Sequence, residues 1–526
     1  MGLKYVHSII VFSTFQLICL ISSGQEDKTK VEILHADAWK FDASVNDMQR
    51  LIGNVRLRQG ETYMYCDSAW MYDDAKRFEA FSRVRIEKGD SLRLVGDLLT
   101  FDSNDKMARL RKNIRFSDQR MNLNTQILDY NLENETGSYV GGGVIKSSSG
   151  DELKSREGIY YAKQGVFHFR KNVTLNNPDY QVSSDTLHYY ERTSVSRFYG
   201  PTTIVTKDAV VYCERGYFNS DTEQSEFIKN AKITNENNIL SGDSIIYSGK
   251  KKQGHAFGGV EVRDSTSTYF IRGERGFHDE TADITYVTRN ALLLKPFDKD
   301  TLYLHADTLR AMPEAEAAKR ILAYRNVRFF KNDLQGRADS LVYADRDSLI
   351  TMHGDPVLWN RANQITGETI RIRTWDSTID RLLVDKAGRI MSEAMPDKYN
   401  QIAGRQITGF FEDNEMKHIH VSGNAETIYF PTEKKGEKVR SIGLNGVKCS
   451  TIDLLLEKGE LSEIRFKQEP VGSLKPNKDV GGSEMLLPGM IWRSIERPKD
   501  GQDVFNLPAI TVVPLAESNT GPRVVK

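Results

Sequence analysis

A short pattern recurs about every 30 residues along most of this chain. Its first marker is a turn followed by the apolar start of a strand: Gly53-Asn54-Val55, Ser82-Arg83-Val84, Lys112-Asn113-Ile114, Gly142-Gly143-Val144, Lys171-Asn172-Val173, Lys229-Asn230-Ala231, Gly258-Gly259-Val260, Arg289-Asn290-Ala291, Arg325-Asn326-Val327 and Gly423-Asn424-Ala425, with Gly200-Pro201-Thr202 standing in one slot. The second marker is an acid that leads an apolar alternation: Asp37, Asp67, Asp97, Asp185, Glu214, Asp243, Glu274, Asp307, Asp339 and Glu368. Self-similarity at such a period signals stacked units, none of which buries its apolar face alone, so neighbours must supply one continuous core. Period-two alternation in Val55/Leu57, Val84/Ile86, Ile114/Phe116, Val173/Leu175, Val260/Val262 and Val327/Phe329 makes those units strands. It sends Arg56, Arg58, Arg83 and Arg85 to the opposite face. Asn and Gly at the corners suit positive backbone angles. The one short helical candidate is Pro313 to Arg320.

Composition agrees with an all-β chain. The 22 Tyr and 23 Phe, with abundant Val and Ile, fit pleated, half-buried surfaces. The 72 basic and 72 acidic residues cancel, which argues against a nucleic-acid binder, and 39 Gly against 14 Pro describes a turn-rich globular chain. Residues 1–24 read as a cleaved secretory signal: Lys4 is the charge, Ile9 to Ile21 the apolar core, and Ser22-Ser23-Gly24 the small residues. That core is shorter than the roughly 20 residues a bilayer span needs. Leu17 and Ile18 before Cys19 argue against lipidation. Cys66, Cys213 and Cys449 then remain, an odd number. Cys66 and Cys213 hold the same repeat position five repeats apart. At about 4.8 Å per stacked strand this is at least about 24 Å, beyond the roughly 7 Å a disulfide tolerates, so buried thiols are expected.

The order of these words, "AD…Φ.YD…A…GNV.Φ..GD..L.GD", resembles the LptA/OstA-like (organic solvent tolerance) family of periplasmic lipopolysaccharide-transport proteins over roughly residues 31 to 430. The resemblance implies a twisted β-jellyroll whose interior accepts the acyl chains of lipopolysaccharide while the sugars stay in water. Catalysis fits poorly, because an active site is a local exception and the recurring acids are the rule, so no enzyme activity and no cofactor are expected. The resemblance also implies other jellyroll-type transport components as partners, added at edge strands, and a periplasmic location peripheral to membranes. The outer-membrane member of that superfamily carries a large β-barrel after this domain, and the chain after residue 430 is too short for one. The expected organisation is therefore a signal at 1–24, an elongated repetitive jellyroll or solenoid at 25–430, a degenerate terminal repeat at 431–466, and a Pro-containing tail at 467–526. That tail is expected to be extended or partly disordered, with "MLLPGMIW" at 485–492 able to dock on the last rung or on a partner.

The expected interior lining is Val55, Leu57, Val84, Ile86, Leu99, Phe101, Ile114, Phe116, Val173, Leu175, Leu187 and Tyr189. The same alternation also fits an adhesin or scaffold with a filled core. The recurring acids do not make a calcium site, which needs six to eight oxygens; corner acids bonding nearby backbone N–H groups are expected instead. His418 and His420 share a strand face without a third ligand, Gly141-Gly142-Gly143 lacks the Lys-Ser/Thr of a P-loop, and Lys250-Lys251-Lys252 reads as a solvated turn. A polysaccharide-processing β-helix enzyme would need clustered acids on adjacent rungs, and none stands out.

Overall fold

The computed structural model describes residues 31–506 apart from the stretches 43–47, 73–75, 90–91, 103, 119–120, 149, 237, 265–268, 298–299, 315–318, 345, 376–377, 414, 436–437 and 458–459. The expected signal at 1–24 lies outside them. The chain forms two compact units that divide between Gly258 and Gly259, inside the strand Gln253–Asp264. Both units are antiparallel β throughout, and the described residues include only short 3-10 turns besides strands. Of the helix expected over Pro313 to Arg320, residues 315–318 lie outside the described residues; Pro313 ends one strand and Lys319 opens the next.

Most strands run 10 to 15 residues, as in Met48–Gln59, Met107–Asp118 and Glu415–Tyr429. They reach that length because each bends in the middle. At the bend of most alternate strands two successive residues take the left-handed conformation, for example Lys112 (φ 64°) and Asn113 (φ 51°), or Arg325 (φ 59°) and Asn326 (φ 54°). The pairing register shifts at the same place, between Arg111 and Ile114 and between Tyr324 and Val327. A double bulge of this kind turns the strand without ending it. One half of each strand therefore belongs to one layer of the jellyroll and the other half to the second layer, and both halves turn their apolar residues inward.

A left-handed non-glycine residue costs roughly 1–2 kcal/mol, so the corners need compensation. It comes from the second sequence marker. Asn54 Nδ2 donates to Asp37 at 2.9 Å, Asn113 to Asp97 at 2.7 Å, Asn230 to Glu214 at 2.7 Å, Asn290 to Glu274 at 3.0 Å and Asn326 to Asp307 at 3.1 Å. Where Asn is replaced by Arg83, its guanidinium grips Asp67 at 2.6 and 2.9 Å. The partner of the corner acid is thus mainly a side chain of the neighbouring strand rather than the backbone N–H expected from sequence.

The hairpin turns at the far end of the first layer are also stitched together. Leu132 N donates to Lys106 O, Ala162 N to Glu135 O, Glu191 N to Gly165 O and Ser220 N to Ser194 O, all at 2.9–3.0 Å. Lys250 Nζ joins this ladder by donating to Asp221 O at 2.7 Å, which gives the lysine run a turn-stacking role.

Each 30-residue repeat is thereby one hairpin of two bent strands. The spacing per repeat is about twice the single-strand spacing assumed from the sequence, or roughly 9.6 Å. Cys66 and Cys213 lie ten strands apart in the ladder, so their separation is nearer about 48 Å. Both are buried free thiols, and Cys449 is a half-buried one.

Candidate functional site

The interior of the N-terminal unit is built from two kinds of position. Val55, Leu57, Val84, Ile86, Ile114, Phe116, Val173 and Leu175 come from the strand halves after the corner. Leu99, Leu187 and Tyr189 come from the facing layer, and these eleven expected lining residues form one cluster, each no more than 9% exposed. Phe101 differs. It is half-buried and pairs with Phe78, ring centroids 5.7 Å apart, beside the hairpin turns where the layer ends. Met71, Phe78, Ala108, Leu132 and Ala162 are likewise half-buried against the core.

Phe101 begins a row that sequence reasoning captured only in part. Tyr130, Tyr160, Tyr189, Phe218 and Tyr247 occupy the same place in successive rungs and are buried. Their partners across the hairpins are mostly small: Ala108 faces Phe101, Gly137 faces Tyr130, and Ser196 and Ser225 face Tyr189 and Phe218. Among the described hairpin pairs of this row, Tyr160/Phe167 is the one with two aromatics, stacked at 4.3 Å. The signal was present as an aromatic recurring at the repeat period four residues after the acid marker.

The other sequence candidates have structural duties. Gly141 and Gly142 form a corner (φ 84° and 115°). Gly143 makes room for the Tyr139 ring, since a Cβ there would lie 2.5 Å from it. Tyr139 shares a 2.6 Å hydrogen bond with Ser155, and burial pushes its phenol up to about 12. Burial likewise pushes the Cys66 thiol up to about 12 and that of Cys213 to about 11, which keeps both protonated and unreactive. His418 Nε2 and His420 Nδ1 converge on Asp453 Oδ1 at 2.9 and 2.8 Å, and Lys467 meets its other oxygen at 2.8 Å. Burial opposes the charge of Asp453, but the bonds from Lys467, His420 and His418 outweigh it and hold the carboxyl below the usual range. Among the described residues no group of three or more His, Cys, Asp or Glu could hold a metal ion.

Residues 28–185 match the family model described as "OstA-like protein", and residues 297–377 match that described as "LptA/(LptD N-terminal domain) LPS transport protein". These two stretches are LptA/OstA-like. No curated protein matches it. Among solved structures it is similar to LptH, the LptA-homologous periplasmic component of the lipopolysaccharide transport device from Pseudomonas aeruginosa, at 15% identity over 27% of this chain and 95% of that one, with a TM-score of 0.22.

Both family matches stop before residue 378, and this OstA-like chain carries a feature beyond them. The described part of the Pro-containing tail, residues 467–506, is not a free extension. Val471–Pro476 pairs with Gly443–Glu457, and residues 477–506 then run back over the outer face of the second layer of the C-terminal unit. They follow one cross-strand row: Ile428, Gln401, Met391, Gln364, Trp359, Gln335, Phe330 and Tyr303 stand opposite one another on successive strands.

Amides and apolar groups alternate along that row, and each amide holds the returning segment. Gln401 donates to Met485 O at 2.7 Å and accepts from Leu487 N at 2.8 Å. Gln364 does the same with Ile491 O (2.7 Å) and Arg493 N (2.6 Å). Gln335 accepts from Arg497 Nε at 2.8 Å. All three glutamines are at most 2% exposed. Between them Leu487 and Met490 pack with Met391, Ile428, Phe430 and Leu444. The turn Pro488-Gly489 lies against Arg389: Gly489 has φ 75°, and a Cβ there would meet the guanidinium at 2.7 Å. Glu496 receives Arg493 at 2.6 and 2.8 Å and also pairs with Arg337, and Phe505 ends against His305 at 4.7 Å. Prolines gave the segment its loop-like composition, and side-chain bonds to its backbone replace the ladder they deny it.

Proposed function

We propose that this protein is a non-enzymatic lipopolysaccharide carrier or bridge of the periplasm, shielding acyl chains between the inner and outer membranes during outer-membrane assembly. The observation that carries the reading is the continuous apolar interior of the N-terminal unit, bordered by the aromatic row from Phe101 to Tyr247. Each buried methylene is worth about 0.8 kcal/mol, so a lipid with several chains crosses water only if shielded. Transfer from bilayer to interior is then nearly neutral in free energy, and direction comes from partners.

Chains would enter where Met71, Phe78, Phe101 and Ala108 are half-buried beside the turns, since the corner side is held by the Asn–acid bonds. The sugars would stay outside that seam. Partners of jellyroll type would add at the N-terminal edge. There Glu32–His35 and Ala38–Asp42 pair only with Met48–Gln59 among the described strands, and Trp39 and Phe41 are 61% and 63% exposed. The similarity of residues 297–377 to lipopolysaccharide-transport proteins supports lipopolysaccharide as the cargo.

A scaffold or adhesin with a filled core is the second reading, favoured by how tightly eleven of the twelve lining residues pack. Phe101→Arg separates the two. It places a charge at the seam, where half-exposure lets the side chain reach water. The carrier reading expects the purified full chain to retain far less lipopolysaccharide at unchanged melting temperature. Undiminished lipopolysaccharide would favour the filled core.

A further inference from the structure

The outer face of the second layer, covered by the chain's own residues 477–506 in the C-terminal unit, is cationic in the N-terminal unit and carries no such cover among the described residues. Its cross-strand pairing gives a row His35, Arg56, Tyr65, Arg85, Val95, Arg115, Asn124, Val144, Lys154, Thr174 in which no acid occurs. The row beside it holds Arg58, Arg93 and Lys146 with Glu32, Glu87 and Glu152. Its ion pairs neutralise much of that second row: Arg58 with Glu32, Arg93 and Arg85 with Glu87, Lys146 and Lys154 with Glu152. Seven Arg and Lys face three Glu, so four positive charges are left over. Arg56 and Arg115 are exposed and make no ion pair among the described residues. Further along the same row Thr174 is followed by Ser183 and Thr203, so the charge belongs to the first rungs. The chain as a whole has no net charge, which makes the local excess a property of this face.

We infer that this face docks on the surface of a membrane rich in acidic phospholipid. Arg56, Arg85 and Arg115 come from every second strand and so repeat at about 9.6 Å across a broad sheet. Such spacing presents several guanidinium forks to separate phosphate groups at once. Tyr63 and Tyr65 stand between them, one 37% exposed, with Arg85 lying over the Tyr65 ring at 4.3 Å. Tyrosine with flanking cations is the composition that settles at a membrane–water interface. A face spread over many strands offers no narrow groove for a single acidic strand or helix.

Docking here is independent of whether lipopolysaccharide enters the interior, and the test uses none. The full chain is sedimented with vesicles of phosphatidylcholine with and without phosphatidylglycerol, in low and high salt. Binding is expected only with phosphatidylglycerol, and weaker in high salt. R56Q/R115Q/K154Q should weaken it by about fivefold per cation removed, roughly a hundredfold together. K250Q/K251Q/K252Q, a charge-matched change in a turn, should leave it intact. Absence of binding to acidic vesicles, equal loss in the two variants, or full retention by R56Q/R115Q/K154Q would overturn the inference. Tight binding to soluble polyglutamate in place of vesicles would overturn it in favour of an acidic protein.

Discussion

Removing the Gln364 side chain tests how the returning segment is held. Gln364→Ala deletes two hydrogen bonds, from Nε2 to Ile491 O and from Arg493 N to Oε1, and leaves both backbone groups in a half-buried place without their partner. A hydrogen bond of this kind contributes about 1 kcal/mol net, so the pair is worth about 2 kcal/mol. That converts to a roughly 30-fold increase in the population of the locally opened segment. Native-state hydrogen exchange on the full chain reads this directly. Amides between 485 and 497 should exchange about 30-fold faster. Those of Val384 and Ile407, buried in the strands beneath, should not change. Gln181→Ala, on the outer face of the N-terminal unit, is the control and should alter neither set. If Gln364→Ala leaves residues 485–497 as protected as before while Leu487→Ala exposes them, apolar packing holds the segment and the account of the glutamine row is wrong.

Asn113→Ala removes the 2.7 Å bond to Asp97 and also puts a Cβ-bearing residue without a local partner at φ 51°; a loss of about 2 kcal/mol in denaturant unfolding is expected, with Asn113→Gly losing about half of that. A thiol reagent at pH 8 should label Cys449 first and spare Cys66 and Cys213 until the chain unfolds, because burial pushes those two thiols up to about 12 and about 11; rapid labelling of Cys66 in the folded chain would contradict its placement. Asp453 is held below its ordinary range when folded, so its contribution is present above the unfolded value of about 3.9 and disappears as pH falls through the lower folded one. The stability difference between the parent chain and Asp453→Asn should therefore be largest near neutrality and shrink below about pH 4; a gap that widens in acid would refute the assignment.

Much of the fold could be read from residue order because period-two alternation and corner residues are local consequences of the bent hairpin. Val55, Leu57, Ile114, Phe116 and Val173 occupy the interior positions that the alternation gives them. The Asn–acid bonds were also within reach: Asp97 and Asn113, Glu214 and Asn230, Glu274 and Asn290 are all 16 residues apart. What concealed them is that the pairing runs between strands, while a turn acid is ordinarily assigned to its own backbone. The returning segment was harder. Its prolines and lost periodicity describe a tail, and the glutamines that hold it sit among polar outward positions of their strands. A physical clue existed in Val357–Asn360, buried at all four positions. Strands apolar on both faces, as Leu358 with Trp359 and Ile390 with Met391 are, must be covered on both.

The central claim is that acyl chains lie between the two layers of the N-terminal unit. Photocrosslinking in cells tests it most directly, with a photoreactive residue placed in turn at Phe101 on the seam, at Phe116 inside and at Tyr65 on the outer face. Lipopolysaccharide adducts at 101 and 116 but not at 65 are expected. Adducts confined to 65, or none at either interior position, would contradict it.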